Sequence, residues 1–393
     1  MTARPRVLVT DMELACSLGK GVDQVWPALL AGREAIGPIS KFDTSAFRVG
    51  LSAEAKEMAC MTDFEAARYS LEPLLQRQGA SSFAGPHCGL VLGMLGGDYW
   101  PMERRILANP EDRTTGMTQE ISEIFPPHQA AATLATKLAV EGPVTTVAAA
   151  CASGNHALSL AGDWIREGRV DRVLAGGVNV LSVPCFAHFH GIRLLAKEHC
   201  RPFDKNRDGL VAGTGSAWIL LESESAAKAR GAEVLAEFVG WGHSCDAHTV
   251  TAPHPEARGA IDSIQACLAD GRIAADQIDY VSAHGTGTGT NDRTESKALY
   301  HVFGSRAATL PMSSIKSMIG HTMGASAVIE AIACIQAIRT GQLPPTANFE
   351  QADPECPVNC LPNQAGEAKV RYALNASYGF GGNNSITLFG PTP

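Results

Sequence analysis

No run of apolar residues in this chain is long enough to span a bilayer, which argues against a helical membrane protein. Positive charge is scarce: the formal net charge is -8, which gives no support to a nucleic-acid binder. The first ten residues, Met1-Thr-Ala-Arg-Pro-Arg-Val-Leu-Val-Thr10, lack the longer apolar region of a signal peptide and pass straight into a strand-like run. The eleven cysteines show no paired framework. Without an export signal they read as reduced thiols, and the expected location is the cytoplasm. Cys356 and Cys360 stand close together but have no second ligand pair, so no metal site is expected. Asp204, Asn206, Asp208 and Gly209 match the first half of a calcium loop, but its twelfth position is Gly215 rather than a bidentate Glu. A structured turn is expected there instead.

What is present points to a large core. The 393 residues are 45% apolar and 18% charged, enough for two or three domain-sized units or one large duplicated fold. Short apolar runs at 7–10, 88–94, 144–150 and 172–177 read as strands, and helical spacing appears at 22–32, 64–76, 128–140 and 157–165. Residues 99–127 are polar and irregular and read as an inserted lid or interface segment. From Val234 the order restarts: strands at 235–240, 279–283 and 312–315, helices at 256–268, 292–303 and 323–339, and closing strands at 370–376 and 385–389. Strands alternating with helices give an α/β layered fold with a mainly parallel sheet. The restart suggests an internal duplication, with halves 1–240 and 241–393.

The stretch Thr145-Thr-Val-Ala-Ala-Ala-Cys151-Ala-Ser-Gly-Asn-His156 sets Cys151 where a buried strand hands over to a helix. A helix N-terminus favours thiolate over thiol, and small neighbours leave room for a substrate carbonyl. Alone, such a cysteine is more often a core residue. Three further stretches alter that reading. His284-Gly-Thr-Gly-Thr288 follows a strand, and its glycines permit close backbone approach without matching a phosphate-binding spacing. Lys316-Ser-Met-Ile-Gly-His321 runs into a helix whose dipole should keep the imidazole neutral and able to donate a hydrogen bond. Asn375-Ala-Ser-Tyr-Gly-Phe380-Gly-Gly-Asn-Asn384 reads as a turn that exposes backbone N–H groups.

Ala150-Cys151-Ala-Ser-Gly, His284-Gly-Thr-Gly-Thr288, Lys316-Ser-Met-Ile-Gly-His321 and Tyr378-Gly-Phe-Gly-Gly-Asn383, in this order, resemble the elongating, two-histidine β-ketoacyl-acyl carrier protein synthases. Arg201-Pro-Phe-Asp204 adds to the likeness, which covers nearly the whole chain. The resemblance implies a thiolase-like fold, two similar βαβαβαββ halves in five αβαβα layers. It implies a homodimer, or a heterodimer with a ketosynthase-like subunit. It also implies an acyltransferase: a decarboxylative condensation of a Cys-bound acyl chain with malonyl-acyl carrier protein. The implied catalytic set is Cys151, His284, Lys316 and His321. Backbone donors at Cys151 and Phe380 would hold the oxyanion, Phe380 would gate the acyl chain, and Glu330 would partner Lys316. Thr286 and Thr288 would bind pantetheine. Lys316 would hold the histidines through hydrogen bonds. No resident cofactor is implied, since the substrates ride on the phosphopantetheine of an acyl carrier protein. Arg201, Lys205 and Arg207 are the docking charges expected for that carrier.

Three features depart from the usual pattern: Val9-Thr10-Asp11-Met12-Glu13 in place of a glycine-rich start, few basic residues at 56–63, and the insert at 99–127. They lean toward a specialised pathway (unusual lipid, polyene or polyketide) over housekeeping fatty-acid elongation. A silent chain-length-factor-like subunit would lack the cysteine. A coenzyme A-dependent thiolase would carry a second cysteine in the closing glycine-rich motif, and 375–384 has none.

Overall fold

The computed structural model describes residues 5–108 and 126–393. The first half runs β1 (Val7–Cys16), α1 (Asp63–Gln78), β2 (Cys88–Gly93), α2 (His128–Leu138), β3 (Val144–Val147), α3 (Ser153–Arg166), β4 (Arg172–Asn179) and β5 (Gly215–Ser223). The second runs β6 (Ala236–Cys245), α4 (Arg258–Gly271), β7 (Tyr280–Ser282), α5 (Gly289–Phe303), β8 (Met312–Ser313), α6 (Ser326–Thr340), β9 (Ala373–Gly379) and β10 (Asn383–Gly390). With the helices Val22–Leu30, Trp100–Ala108, Val183–Gly191, Glu224–Ala229 and Lys316–Ile319 and the short strands off the main sheet's path set aside, the order βαβαβαββ occurs twice.

Sheet order repeats as well. The first half pairs β3-β2-β4-β5-β1 and the second β8-β7-β9-β10-β6, the same permutation, joined edge to edge where Leu8 meets Glu237 and Val9 meets Ala236. Among the described strands of this sheet, β3-β2-β4 and β8-β7-β9 are parallel and the other named pairs antiparallel. The expectation of a mainly parallel sheet is corrected accordingly. In the second half β10 follows β9 across a short turn and pairs antiparallel with it, and in the first half residues 180–214, which include the helix Val183–Gly191, return the chain so that β5 pairs antiparallel with β4. The expected division at 240/241 falls inside β6. The repeat begins at Ala236, and we propose that the halves divide before it.

Helices α1 and α2 cover one face of the first sheet half; α4 covers the second, with α5 beside it sharing the core of Val281 and Leu374 through Ala298, Leu299 and Phe303. Helices α3 and α6 pack against each other between the two, completing five layers. Their close approach depends on Gly154, where a Cβ would stand 2.9 Å from Val328 Cγ2 and 3.1 Å from Ala327 Cβ. Residues 326–337 of α6 are buried all round, as expected for a central helix apolar on every face. The span Met323–Thr340 is therefore long and apolar enough to cross a membrane by composition, although 83% of it lies inside the fold. The expectation that no apolar run is long enough to span a bilayer is corrected for this helix, by length and composition alone.

Strand β1 extends to Cys16, beyond the expected end at residue 10, despite Asp11 and Glu13. Both carboxylates are buried on the strand and take 2.8 Å ion pairs from Arg77 of α1. Helix α1 starts with a reciprocal cap: the Thr62 hydroxyl accepts from Glu65 N–H, and the Glu65 carboxylate accepts from Thr62 N–H. Within 99–127, Trp100–Ala108 is a helix rather than irregular chain. Most of the expected lid or interface segment, 109–125, lies outside the described residues. Asp204 anchors the 201–209 turn by accepting backbone N–H groups from Asn206, Glu350 and Gln351.

Candidate functional site

Four strand ends converge at the centre of the molecule. Cys151 follows β3, His284 follows β7, Lys316 and His321 follow β8, and Phe380 follows β9. The carboxyl ends of strands in α/β sheets are where loops are free to meet a ligand. Here the twofold repeat brings both halves' ends to one point, because α3 and α6 cross just after Cys151 and His321.

The cysteine turn is held tightly. Ala150 has φ 49, an unusual conformation for a residue with a Cβ. Ser153 Oγ accepts the Ala149 N–H at 2.8 Å, and Ser377 Oγ donates to the Cys151 carbonyl at 2.8 Å. Cys151 is 6% exposed, and the backbone N–H groups of Cys151 and Phe380 face its sulfur. Burial pushes the thiol up to about 11, against the pull of the Lys316 ammonium and those N–H groups. Burial thus works against the thiolate that the helix terminus was expected to favour.

His284 and His321 stand edge to face with ring centroids 5.4 Å apart, each 2% exposed or less. His321 Nδ1 accepts the Met323 N–H at 3.1 Å and lies 2.9 Å from Ser326 Oγ. A nitrogen that accepts carries no proton, so the neutral ring is protonated on Nε2. That Nε2, and Nδ1 of His284, have no hydrogen-bond partner among the described residues. Burial first, then the nearby Lys316 ammonium, hold both imidazoles well below their ordinary pKa. They remain neutral at physiological pH.

Lys316 and Glu330 form a hydrogen-bonded ion pair, each side chain 1% exposed. Burial raises the Glu330 carboxyl to about 7 while the ammonium opposes the shift. Among the described residues the ammonium hydrogen-bonds Glu330 and neither imidazole. Its expected hydrogen bonds to the histidines are therefore absent there, and it acts on both rings and on Cys151 by charge.

A cavity of about 170 Å³ joins these groups to the surface, lined by Cys151, His284, Thr286, Thr288, His321 and Phe380, among others. The Thr286 and Thr288 hydroxyls are 2.9 Å apart in its wall. The Phe380 ring lies 5.9 Å from Phe189, at the start of a short turn in which Gly381 has φ 79.

The docking charges fare differently. Arg207 is 4% exposed and is held by Asp353 and Asp292, so it is not a surface charge. Arg201 is 14% exposed and paired with Glu350. Only Lys205 of the three is exposed. Sequence reasoning missed Glu295, whose carboxylate accepts the backbone N–H groups of His284 and Gly285, each at 2.8 Å. It also missed the Asn155–Asn375 amide pair, which ties α3 to β9 at 2.9 Å. An acidic residue in the second turn of α5 carries no local signal of this role.

Residues 70–227 match the family described as Beta-ketoacyl synthase, N-terminal domain, and residues 235–350 match Beta-ketoacyl synthase, C-terminal domain. The chain is 37% identical over 402 residues to Nodulation protein E of Rhizobium sp. (strain N33), covering 98% of both chains. It is 34% identical over 409 residues to 3-oxoacyl-[acyl-carrier-protein] synthase 2 of Coxiella burnetii (strain RSA 493 / Nine Mile phase I), again covering 98% of both. Among solved structures, the ishigamide ketosynthase/chain length factor superposes with TM-score 0.89 and 33% identity over 100% of both chains.

Proposed function

The chain belongs to the β-ketoacyl synthase family, and from that premise we propose that it performs its condensation through Cys151, His284, His321 and the Lys316–Glu330 pair. It is an acyltransferase of fatty-acid or polyketide biosynthesis. The observation that carries the assignment of roles is the shared cavity in which one thiol and two neutral imidazoles meet.

The steps follow from the residue types. Cys151 sulfur attacks the thioester carbonyl of an acyl chain delivered on pantetheine, and its proton leaves with the pantetheine thiol. The tetrahedral oxyanion sits against the Cys151 and Phe380 N–H groups. Malonyl thioester then enters and loses carbon dioxide. The resulting enolate oxygen is stabilised by donors from His321 and His284, which cost no reorganisation in a buried site. The enolate carbon attacks the acyl-Cys carbonyl, and collapse expels the Cys151 thiolate, giving a 3-ketoacyl product two carbons longer. Lys316 biases the imidazoles toward neutrality, and Glu330 keeps that buried ammonium from standing uncompensated. Thr286 and Thr288 offer hydroxyls to the pantetheine amides. No resident cofactor is needed, because the substrates bring their own prosthetic arm.

An acyl carrier protein is the partner that this chemistry requires, and the name of the Coxiella relative supports it. Lys205 is the exposed charge left from the expected docking set. Dimer formation is supported by β3, an edge strand that among the described residues pairs with β2 alone and is half-buried along its length. A homodimer is our reading, with a cytoplasmic location. Mass photometry of the purified chain tests the first: a monomer that dimerises only when a second ketosynthase-like subunit is added would replace it with a heterodimer.

Incubation with acyl-carrier protein followed by peptide mass spectrometry tests the central role. Acylation is expected on Cys151. A stable acyl label on another of the cysteines overturns the assignment.

A further inference from the structure

A second cavity, about 10 Å³, lies behind the apolar surroundings of Cys151. Leu95 belongs to both: it packs on the cluster that contains Cys151, Leu181, Cys185 and Phe186, and it lines the second cavity. Beyond Leu95 the lining is polar, with Lys41, Asp98 and Tyr99. The space suits a single water-sized group.

Lys41 makes this cavity unusual. Its side chain is 2% exposed. An ammonium has three N–H donors. One reaches the Leu181 carbonyl at 2.6 Å, and the Trp100 ring lies 4.3 Å away. Glu103 Oε2 is 3.9 Å distant, too far for a hydrogen bond. No other acceptor meets the ammonium among the described residues. Glu103 is 5% exposed, its Oε1 accepts the Val183 N–H at 2.6 Å, and its Oε2 has no hydrogen-bond partner among the described residues. Two buried charged groups thus face each other with a donor and an acceptor unspent. Such groups are costly to leave unmet.

We propose that this cavity reads the far end of the acyl chain on Cys151 and takes a hydroxyl group carried there. The inference rests on the reading of Cys151 as the acylated nucleophile. A methyl end pressed past Leu95 would leave the Lys41 donors unmet. A hydroxyl oxygen in the cavity accepts from Lys41, and its O–H donates to the Asp98 carboxylate of the same lining. A carboxylate or an aromatic ring exceeds the space.

The test uses two series of acyl chains on carrier protein, matched in length and ending in methyl or hydroxyl. Condensation with malonyl-carrier protein is measured for each, with acetyl as the shortest member. Wild type is expected to favour the hydroxyl end by about tenfold or more at one chain length. Lys41→Met is expected to bring that ratio to about one. If Lys41→Met does not fold, Leu95→Phe, which thickens the partition, is expected to do the same. Equal rates for both series at every length overturn the inference and leave the cavity to water alone. A hydroxyl preference that survives in the folded variant overturns it too. Failure of wild type to condense even the acetyl chain removes the proposed function itself, and the inference with it.

Discussion

Glu295 holds the backbone of His284 from 11 residues away, with one carboxylate oxygen on the N–H of His284 and the other on that of Gly285. The loop after β7 is thereby fixed while the imidazole edge stays free for substrate. Glu295→Ala would leave two buried N–H groups unpaired, at about 1–3 kcal/mol each. A lower melting temperature is expected, with malonyl decarboxylation reduced about 10²-fold as His284 drifts. Glu295→Gln retains one acceptor and should recover part of both. Decarboxylation unchanged in the alanine variant would remove Glu295 from any positioning role.

Burial of Cys151 makes a pH prediction. A thiol pushed up to about 11 is almost wholly protonated at neutral pH. Raising the pH toward that value increases the thiolate fraction about tenfold per unit. Iodoacetamide alkylation of Cys151, followed by mass spectrometry, should therefore climb steadily from pH 7 to 10 without levelling. A plateau reached below pH 8 would show a thiolate already formed, with the helix terminus prevailing over desolvation.

The two imidazoles act as uncharged donors, so each should matter to decarboxylation separately from acylation. His284→Ala and His321→Ala should each slow release of carbon dioxide from malonyl-carrier protein about 10²–10³-fold. Acylation of Cys151, which relies on backbone N–H groups, should fall much less. A normal decarboxylation rate in either variant excludes that histidine.

Much of this was legible because strand, helix and glycine signals are local. Period and turn signals place Cys151 and His284 at strand ends, His321 ahead of a helix and Phe380 between two strands, and the family resemblance joins them into one site. The doubled element order was visible for the same reason. Three things were not. Pairing direction of β5 and β10 depends on crossovers, which have no local signature. The fates of Arg201 and Arg207 depend on acidic partners about 150 residues later in the chain. The thiol's protonation depends on how completely α3, α6 and the 375–384 loop close around it, a property of packing.

Gly379 tests that closure most directly. Its φ of -107 suits any residue, so conformational freedom is not what the position requires. Space is: an added Cβ would lie 2.9 Å from the Ala149 carbonyl oxygen, 3.2 Å from Cys151 N and 3.3 Å from the Ala150 Cβ. These are backbone neighbours and one rigid methyl group, none of which can swing aside. Gly379→Ala must move the Phe380 loop outward or shift the nucleophile turn. Either motion draws the Phe380 N–H away from the sulfur and weakens the oxyanion site by about the worth of one donor, 10²–10³ in rate. Acylation of Cys151 should fall by roughly that factor, while malonyl decarboxylation, which relies on His284 and His321, should fall far less. Equal losses in both steps, or none in acylation, would show that the Phe380 N–H is not the second oxyanion donor.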